Sequence, residues 1–247
     1  VAVKHVDIPS LGPVTLIKSA RSSTIRLTIT ERGVRVSLPR FIPYAAGITF
    51  ARQHADWIRE QTAKHQKPPV VAGQKVGKLH NVAFKPAPLN AKPASRITAS
   101  EVIVQLAAHE TPLSVNAQDR AQKAIVRTLK KEAALLLPPR LANKAQLHAI
   151  TYRSIQVKQL KRRWGSCDSQ QNIVLNLFLM ELPWVLIDYV ICHELAHIDH
   201  MNHGSGFWNR LEQLYPHARQ ANRQLRTYQP IITGRPTSQT EAEEDLL

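Results

Sequence analysis

Apolar and polar residues alternate in short runs near the start of the chain: Val14 and Leu16, then Ile25, Leu27 and Ile29, then Val34, Val36 and Leu38 after Arg32-Gly33. A period of two puts one set of side chains on one face of a strand, and a short Gly-containing break between two such runs predicts antiparallel strands joined by a tight turn. From Pro43 the spacing becomes helical. Ile48, Ala51, Ala55 and Ile58 share one face of a helix running through His65, which Pro68 and Pro69 stop. Strands are expected again around residues 82–85 and 102–106, separated by a Pro- and Ala-rich loop over 86–95.

Ala124, Ile125, Leu129, Ala133 and Leu136 recur at three- and four-residue steps, predicting a long amphipathic helix that begins near Pro112 or Ser114. Pro138-Pro139 is expected to break or kink it, with a second helical piece continuing to about Leu147. Strands return at 152–158 and 173–178, the latter with Ile173, Leu175 and Leu177 alternating. The last third reads as helical: one helix opening at Pro183, one over 205–215 and a third through Gln224. The polar tail after Thr233 reads as disordered.

Composition narrows this to a soluble α+β chain. With 247 residues, 43% hydrophobic and 21% charged, there is enough chain for one large domain or two small ones. We expect a β-rich basic region over 1–107, a core of helices and a small sheet over 108–232 and an acidic tail over 233–247. The long apolar run from Ile173 to Cys192 is interrupted by Asn176, Glu181, Pro183 and Asp188, which argues against a membrane span. Cys167 and Cys192 are too few for a disulfide framework and read as reduced thiols of a cytoplasmic protein. The chain opens at Val1 without an initiator Met, leaving room for a missing start or targeting segment, and no signal-peptide pattern remains. Residues 1–100 hold 16 Lys/Arg against 4 Asp/Glu, a surplus suited either to a solvated face or to nucleic acid.

The sharpest chemical signal is His193-Glu194-Leu195-Ala196-His197 after the apolar run Val185, Leu186, Ile187, Val190, Ile191. Histidines four apart on a helix lie about 40° apart around the axis and one turn along it, so both imidazoles reach one ion. The glutamate beside the first can take a proton from an activated water. A catalytic zinc needs a third protein ligand. His200 shares the helical face but lies roughly 10 Å along the axis from His193, making it the poorer candidate. His203 follows Asn202, a residue tolerant of left-handed geometry; a reversal there brings His203 under the ion. The spacing from His193 to His203 equals that of metzincins, but His200 replaces their Gly and no later Met remains for a Met-turn.

Arg163-Trp164-Gly165-Ser166-Cys167, Asn172-Ile173, Leu175-Asn176, Ile187-Asp188-Tyr189-Val190, His193-Glu194-Leu195-Ala196-His197, Asn202-His203 and Phe207-Trp208 follow one another in an order and spacing that resemble the YgjP-like metal-dependent hydrolases, relatives of the SprT-like zinc metallopeptidases. His54-Ala55-Asp56-Trp57-Ile58 is similar to the family's front half, and the likeness covers most of 14–226; Gly204 departs from it, a Ser being common there. The resemblance implies a zincin-like core with a small antiparallel sheet, Zn2+ held by His193, His197 and His203, and Glu194 as general base. It also suggests that Trp164, Gly165 and Ser166 border an edge strand that holds a peptide or protein substrate by main-chain hydrogen bonds. Arg163, Tyr189 and His217 are candidates for stabilising an oxyanion. The leading function is therefore a zinc metallopeptidase. The alternatives are a nucleoside triphosphate hydrolase, which lacks a Gly-rich phosphate loop here, and a nucleic-acid- or protein-binding module with a structural metal, in which Glu194 has no evident use.

Overall fold

The computed structural model describes residues 2–9, 11–20, 22–30, 33–65 and 68–228, which divide into two compact units at Pro68. In the first, β1 (Val3–Ile8) pairs antiparallel with β2 (Gly12–Ser19), β2 runs parallel to β4 (Gly33–Pro39), and β4 pairs antiparallel with β3 (Arg26–Thr30). The alternation read from the sequence sets the faces: Val14, Leu16, Val34, Val36 and Leu38 are buried in one cluster with Ala51 of helix α1 (Tyr44–Gln53). Gly33, at φ 103°, supplies the left-handed residue of the β3–β4 turn. The single helix expected through His65 is two, because His54 leaves helical geometry (φ −103°, ψ 23°) before α2 (Ala55–His65) begins. The His54 ring donates to the Phe50 carbonyl at 2.9 Å, beside the bond that carbonyl accepts from the His54 backbone N–H at 3.2 Å.

The second unit opens with β5 (Lys75–Val76), β6 (His80–Pro86), β7 (Ser95–Ile97) and β8 (Glu101–Leu106), ordered β5-β6-β8-β7. Against them packs α3 (Val115–Leu147), which buries Ala121, Ala124, Ile125, Leu129, Ala133, Leu137 and Leu141. Pro138-Pro139 does not break this helix. The carbonyls left without donors are those of Ala134 and Leu135, both exposed residues, so water can serve them, while Ala133, Leu137 and Leu141 stay fully buried on the other side.

A three-stranded sheet follows, β9 (Ser154–Lys158), β10 (Gly165–Cys167) and β11 (Asn172–Asn176), ordered β10-β11-β9. It is mixed rather than antiparallel: β10 opposes β11, but β9 runs parallel to it because residues 159–164 carry the chain across to the far edge. A 3-10 helix over Leu177–Glu181 leads to α4 (Trp184–Asp199), α5 (Ser205–Leu214) and α6 (Ala218–Thr227). Asp188 ties α4 to α3 through a two-pronged pair with Arg140 and a contact to Lys144 at 3.2 Å. Among the described residues no helix is long and apolar enough to cross a membrane.

The boundary expected at 107/108 lies inside this unit. Val82, Val102 and Val104 share one buried cluster with α3 and α4, so the strands over 75–106 belong with the core and not with the front of the chain. The basic surplus is likewise shared by both units: residues 1–67 hold 11 Lys/Arg against 4 Asp/Glu, and 68–232 hold 21 against 10. The tail read as disordered lies outside the described residues.

The two four-stranded sheets repeat one another. Pairings Ile8↔Gly12, Val14↔Val34 and Ile29↔Val34 in the first become Val76↔His80, Val82↔Val102 and Ile97↔Val102 in the second, every partner displaced by 68 positions. Each sheet has the same antiparallel, parallel, antiparallel order, and each is followed by a helix packed on its face.

Candidate metal centre

Helix α4 runs through the core, with Leu186, Ile187, Val190, Ile191 and Leu195 fully buried, and it carries His193, Glu194 and His197 in with them. The helix ends at Asp199, where His200 turns extended (φ −139°, ψ 103°). That residue makes the reversal: Asn202, the expected left-handed position, is not among the residues with positive φ. The chain re-enters α5 at Gly204, and His203 returns to the histidine pair.

His193 Nε2 lies 3.1 Å from Nε2 of both His197 and His203, and this trio is the one cluster of ligand-type side chains among the described residues. His200 stands outside it and acts through its backbone. His197 Nδ1 donates to the His200 carbonyl at 3.1 Å. A carbonyl can only accept, so the proton sits on Nδ1 and the Nε2 lone pair of His197 points into the cluster. Burial, reinforced by the neighbouring imidazoles, pushes His193 well below its ordinary range, and burial likewise takes His197 down to about 4. His193 and His197 are therefore neutral near pH 7, the form that binds a cation. Phe207 packs against all three, its centroid 4.6 to 4.8 Å from theirs. Three converging imidazoles, one oriented by a backbone acceptor and all backed by an aromatic ring, fit a metal ion.

Glu194 is fully buried, and neither carboxylate oxygen has a hydrogen-bond partner among the described residues. Burial lifts its pKa to about 8, with Arg163 acting in the opposite sense. Gly165 at the start of β10 explains how the carboxylate fits. A Cβ on Gly165 would stand 2.4 Å from Glu194 Oε1 and 2.8 Å from its Cδ, so only glycine lets the strand approach this closely.

Of the other residues singled out by sequence, Trp164 is 4% exposed and part of the core; its ring is not on offer to a ligand, and its carbonyl accepts from Asn176 N at 2.9 Å. Gly165 and Ser166 lie on β10, an edge strand. Tyr189 is fully buried with its ring against that of His193, 6.1 Å between centroids. His217 is the exposed residue that precedes α6, outside the histidine cluster. Cys192 is buried, and Cys167 is half-buried, its thiol pushed up to about 12 mainly by burial. His80 is buried against Glu132 of α3: its Nδ1 lies 2.6 Å from Glu132 Oε1, and the same carboxylate accepts from the backbone N–H groups of Lys78 and Leu79. Sequence reading missed this tie, the close approach of Gly165 to Glu194, and the hold of Asn176 on residues 160–164. The sequence Leu175-Asn176, a polar residue ending an alternating strand, was the available signal for the last.

A buried His-Glu-x-x-His helix, a third histidine returned to it by the helix end and an edge strand against the glutamate thus meet in one place. The profile of the family described as "YgjP-like, metallopeptidase domain" matches residues 23–228, and the chain belongs to that family. It is also similar to the crystal structure of the metallopeptidase zymogen of Pyrococcus abyssi abylysin, at 20% identity over 41% of this chain and 92% of that one, with a TM-score of 0.33. For the metallopeptidase zymogen of Methanocaldococcus jannaschii jannalysin the values are 24%, 34%, 88% and 0.31. None of the curated proteins matches in sequence.

Proposed function

We propose that the protein is a zinc-dependent peptidase whose ligands are His193, His197 and His203 and whose general base is Glu194. The observation that carries this reading is the pairing of a tri-histidine cluster with a fully buried carboxylate that has no hydrogen-bond partner among the described residues. An ionisable group without a hydrogen bond is costly to bury, so its retention points to chemistry rather than packing. Three histidines leave an open coordination position, which suits a catalytic rather than a structural ion. A zinc ion supplies Lewis acidity to a substrate carbonyl and to water.

The chain's own residues do the rest. Glu194 accepts a proton from the attacking water and delivers it to the departing amine. Full burial lifts its pKa to about 8; a neighbouring positive charge lowers that value toward the range in which a carboxylate takes up a proton and returns it. Edge strand β10 has a sheet neighbour on one side only, and on the other its main chain can hold an extended peptide by strand addition, with the scissile bond near Gly165. The test is cleavage of peptides and unfolded proteins by the zinc-loaded chain. Glu194→Gln is expected to retain zinc by elemental analysis and to lose roughly a hundred- to ten-thousand-fold in turnover. Equal turnover would remove Glu194 from the role of base.

A further inference from the structure

The segment that leads into β10 carries four cations in six positions, Lys158, Lys161, Arg162 and Arg163, all exposed. Their side chains have no ion-pair or hydrogen-bond partner among the described residues. Unpaired charge on a mobile side chain is unremarkable; what is unusual is the rigidity of the backbone beneath it. The buried amide of Asn176 clamps the segment, donating to the Leu160 carbonyl at 3.0 Å and the Arg163 carbonyl at 2.7 Å, and its oxygen accepts from Leu160 N at 3.4 Å. A buried side chain thus holds a loop whose own side chains point to solvent. The loop is also close to the chemistry: Arg163 stands two residues before Gly165, whose Cα lies against the Glu194 carboxylate, and Arg163 acts electrostatically on Glu194.

We propose that this loop makes the cleft select peptides with acidic residues on the carboxyl side of the scissile bond. The inference rests on the peptidase reading given above. Direction follows from strand geometry. A peptide added antiparallel to β10 runs from Cys167 toward Gly165, so the residues that follow the bond at Gly165 leave the strand at the end of the sheet that the segment with Arg163, Arg162 and Lys161 crosses. Its preceding residues pass the other end of β10, where Asp168 sits, its carboxylate held ionised by Asn172 and Gln170. Arg153 acts on that carboxylate, so the Asp168 end of the strand is close to balanced while the Arg163 end carries a surplus of cations, and acidic residues are favoured after the bond. An exposed pair of this kind is worth about two- to five-fold in binding, so two or three acidic residues give a preference of roughly ten-fold or more at physiological salt, falling as added salt shortens the screening length.

The experiment uses the zinc-loaded full chain on a peptide library made from a digested proteome, with cleavage sites identified by mass spectrometry, beside the double variant K161E/R162E and the neutral variant K161Q/R162Q. The expected result is enrichment of Asp and Glu after the cleaved bond, weaker in the neutral variant and inverted to Lys and Arg in the charge-reversed one. Cleavage without that enrichment, or with enrichment before the bond, overturns the inference and leaves the peptidase reading standing. If no peptide is cut, the peptidase reading fails and a binding arm decides the specificity. Fluorescence anisotropy of zinc-loaded Glu194→Gln with a labelled Glu-rich peptide, a Lys-rich peptide of equal length, a single-stranded oligonucleotide and a nucleoside triphosphate should show the Glu-rich peptide bound most tightly and lost in K161E/R162E. Tighter binding of either nucleotide ligand, lost in the same variant, overturns the acidic-peptide assignment.

Discussion

Glu194→Gln in the metal-free protein separates burial of a charge from catalysis. Glu194 is fully buried, and its pKa of about 8 stands above the value of 4.5 proper to an exposed carboxyl. Between those values the folded chain keeps a proton that the unfolded chain releases. Stability is therefore intact below about pH 4.5 and falls as pH rises toward 8, where the carboxylate must ionise in place. At about 1.4 kcal/mol for each pH unit of separation the full loss is about 5 kcal/mol, a large share of the roughly 5–15 kcal/mol that holds a domain folded. Glutamine has the same shape and does not titrate, so the variant should gain on wild type by about 4 kcal/mol between pH 5 and 8.5. Urea unfolding in chelator reads this through tryptophan fluorescence. Trp164, Trp184 and Trp208 lie in the second unit and Trp57 in the first, so a Trp57→Phe background confines the signal to the unit with the site. Parallel stability curves for the two proteins across this range would refute the claim that Glu194 is dry and unpartnered. Restoring zinc should shrink the gap, because a cation beside the carboxylate favours its charged form.

Three further outcomes are expected. Gly165→Ala places a methyl within 2.4 Å of Glu194 Oε1; displacing the base by about 1 Å costs on the order of a hundred-fold in kcat/KM, with zinc content unchanged by elemental analysis because no ligand is touched. His203→Ala should lose most bound zinc while His200→Ala keeps it, since His200 contributes its carbonyl and not its ring; full zinc retention in His203→Ala would reopen the ligand set. Glu132→Ala strips the acceptor from two backbone N–H groups and His80 and should cost about 3 kcal/mol or more in urea unfolding, and an unchanged midpoint would mean that water replaces the carboxylate.

The parts of this molecule legible from sequence were those set by local periodicity. Val14-Leu16 and Val34-Val36-Leu38 alternate because one face of a sheet is covered, and the His193–His197 spacing is a property of any helix. What was not legible depended on contacts between distant segments. Nothing local in Gly165 says that a glutamate from α4 will occupy the space of its missing Cβ, and nothing in Glu132 says that it will reach the turn before His80. Pro138-Pro139 misled for the same reason in reverse: a local rule against helix was outweighed by Leu137 and Leu141, whose burial holds α3 continuous while its freed carbonyls face water.

The misplaced domain boundary has a more specific cause in the 68-residue repeat. Ile8, Val14, Leu16, Val34 and Val36 recur as Val76, Val82, Phe84, Val102 and Val104, the same pattern of covered strands, so strand content alone assigns both sheets to one lobe. Their helices decide otherwise. The helix after the first sheet, α1, has 10 residues and closes a small core of its own, whereas α3 has 33 and extends past its sheet to meet β9 and α4. One supersecondary unit thus closes a small core of its own in the first case and backs the helix that carries His193, Glu194 and His197 in the second. The added length of α3 makes the difference, since it supplies Arg140 and Lys144 to hold Asp188, five residues before His193 on α4.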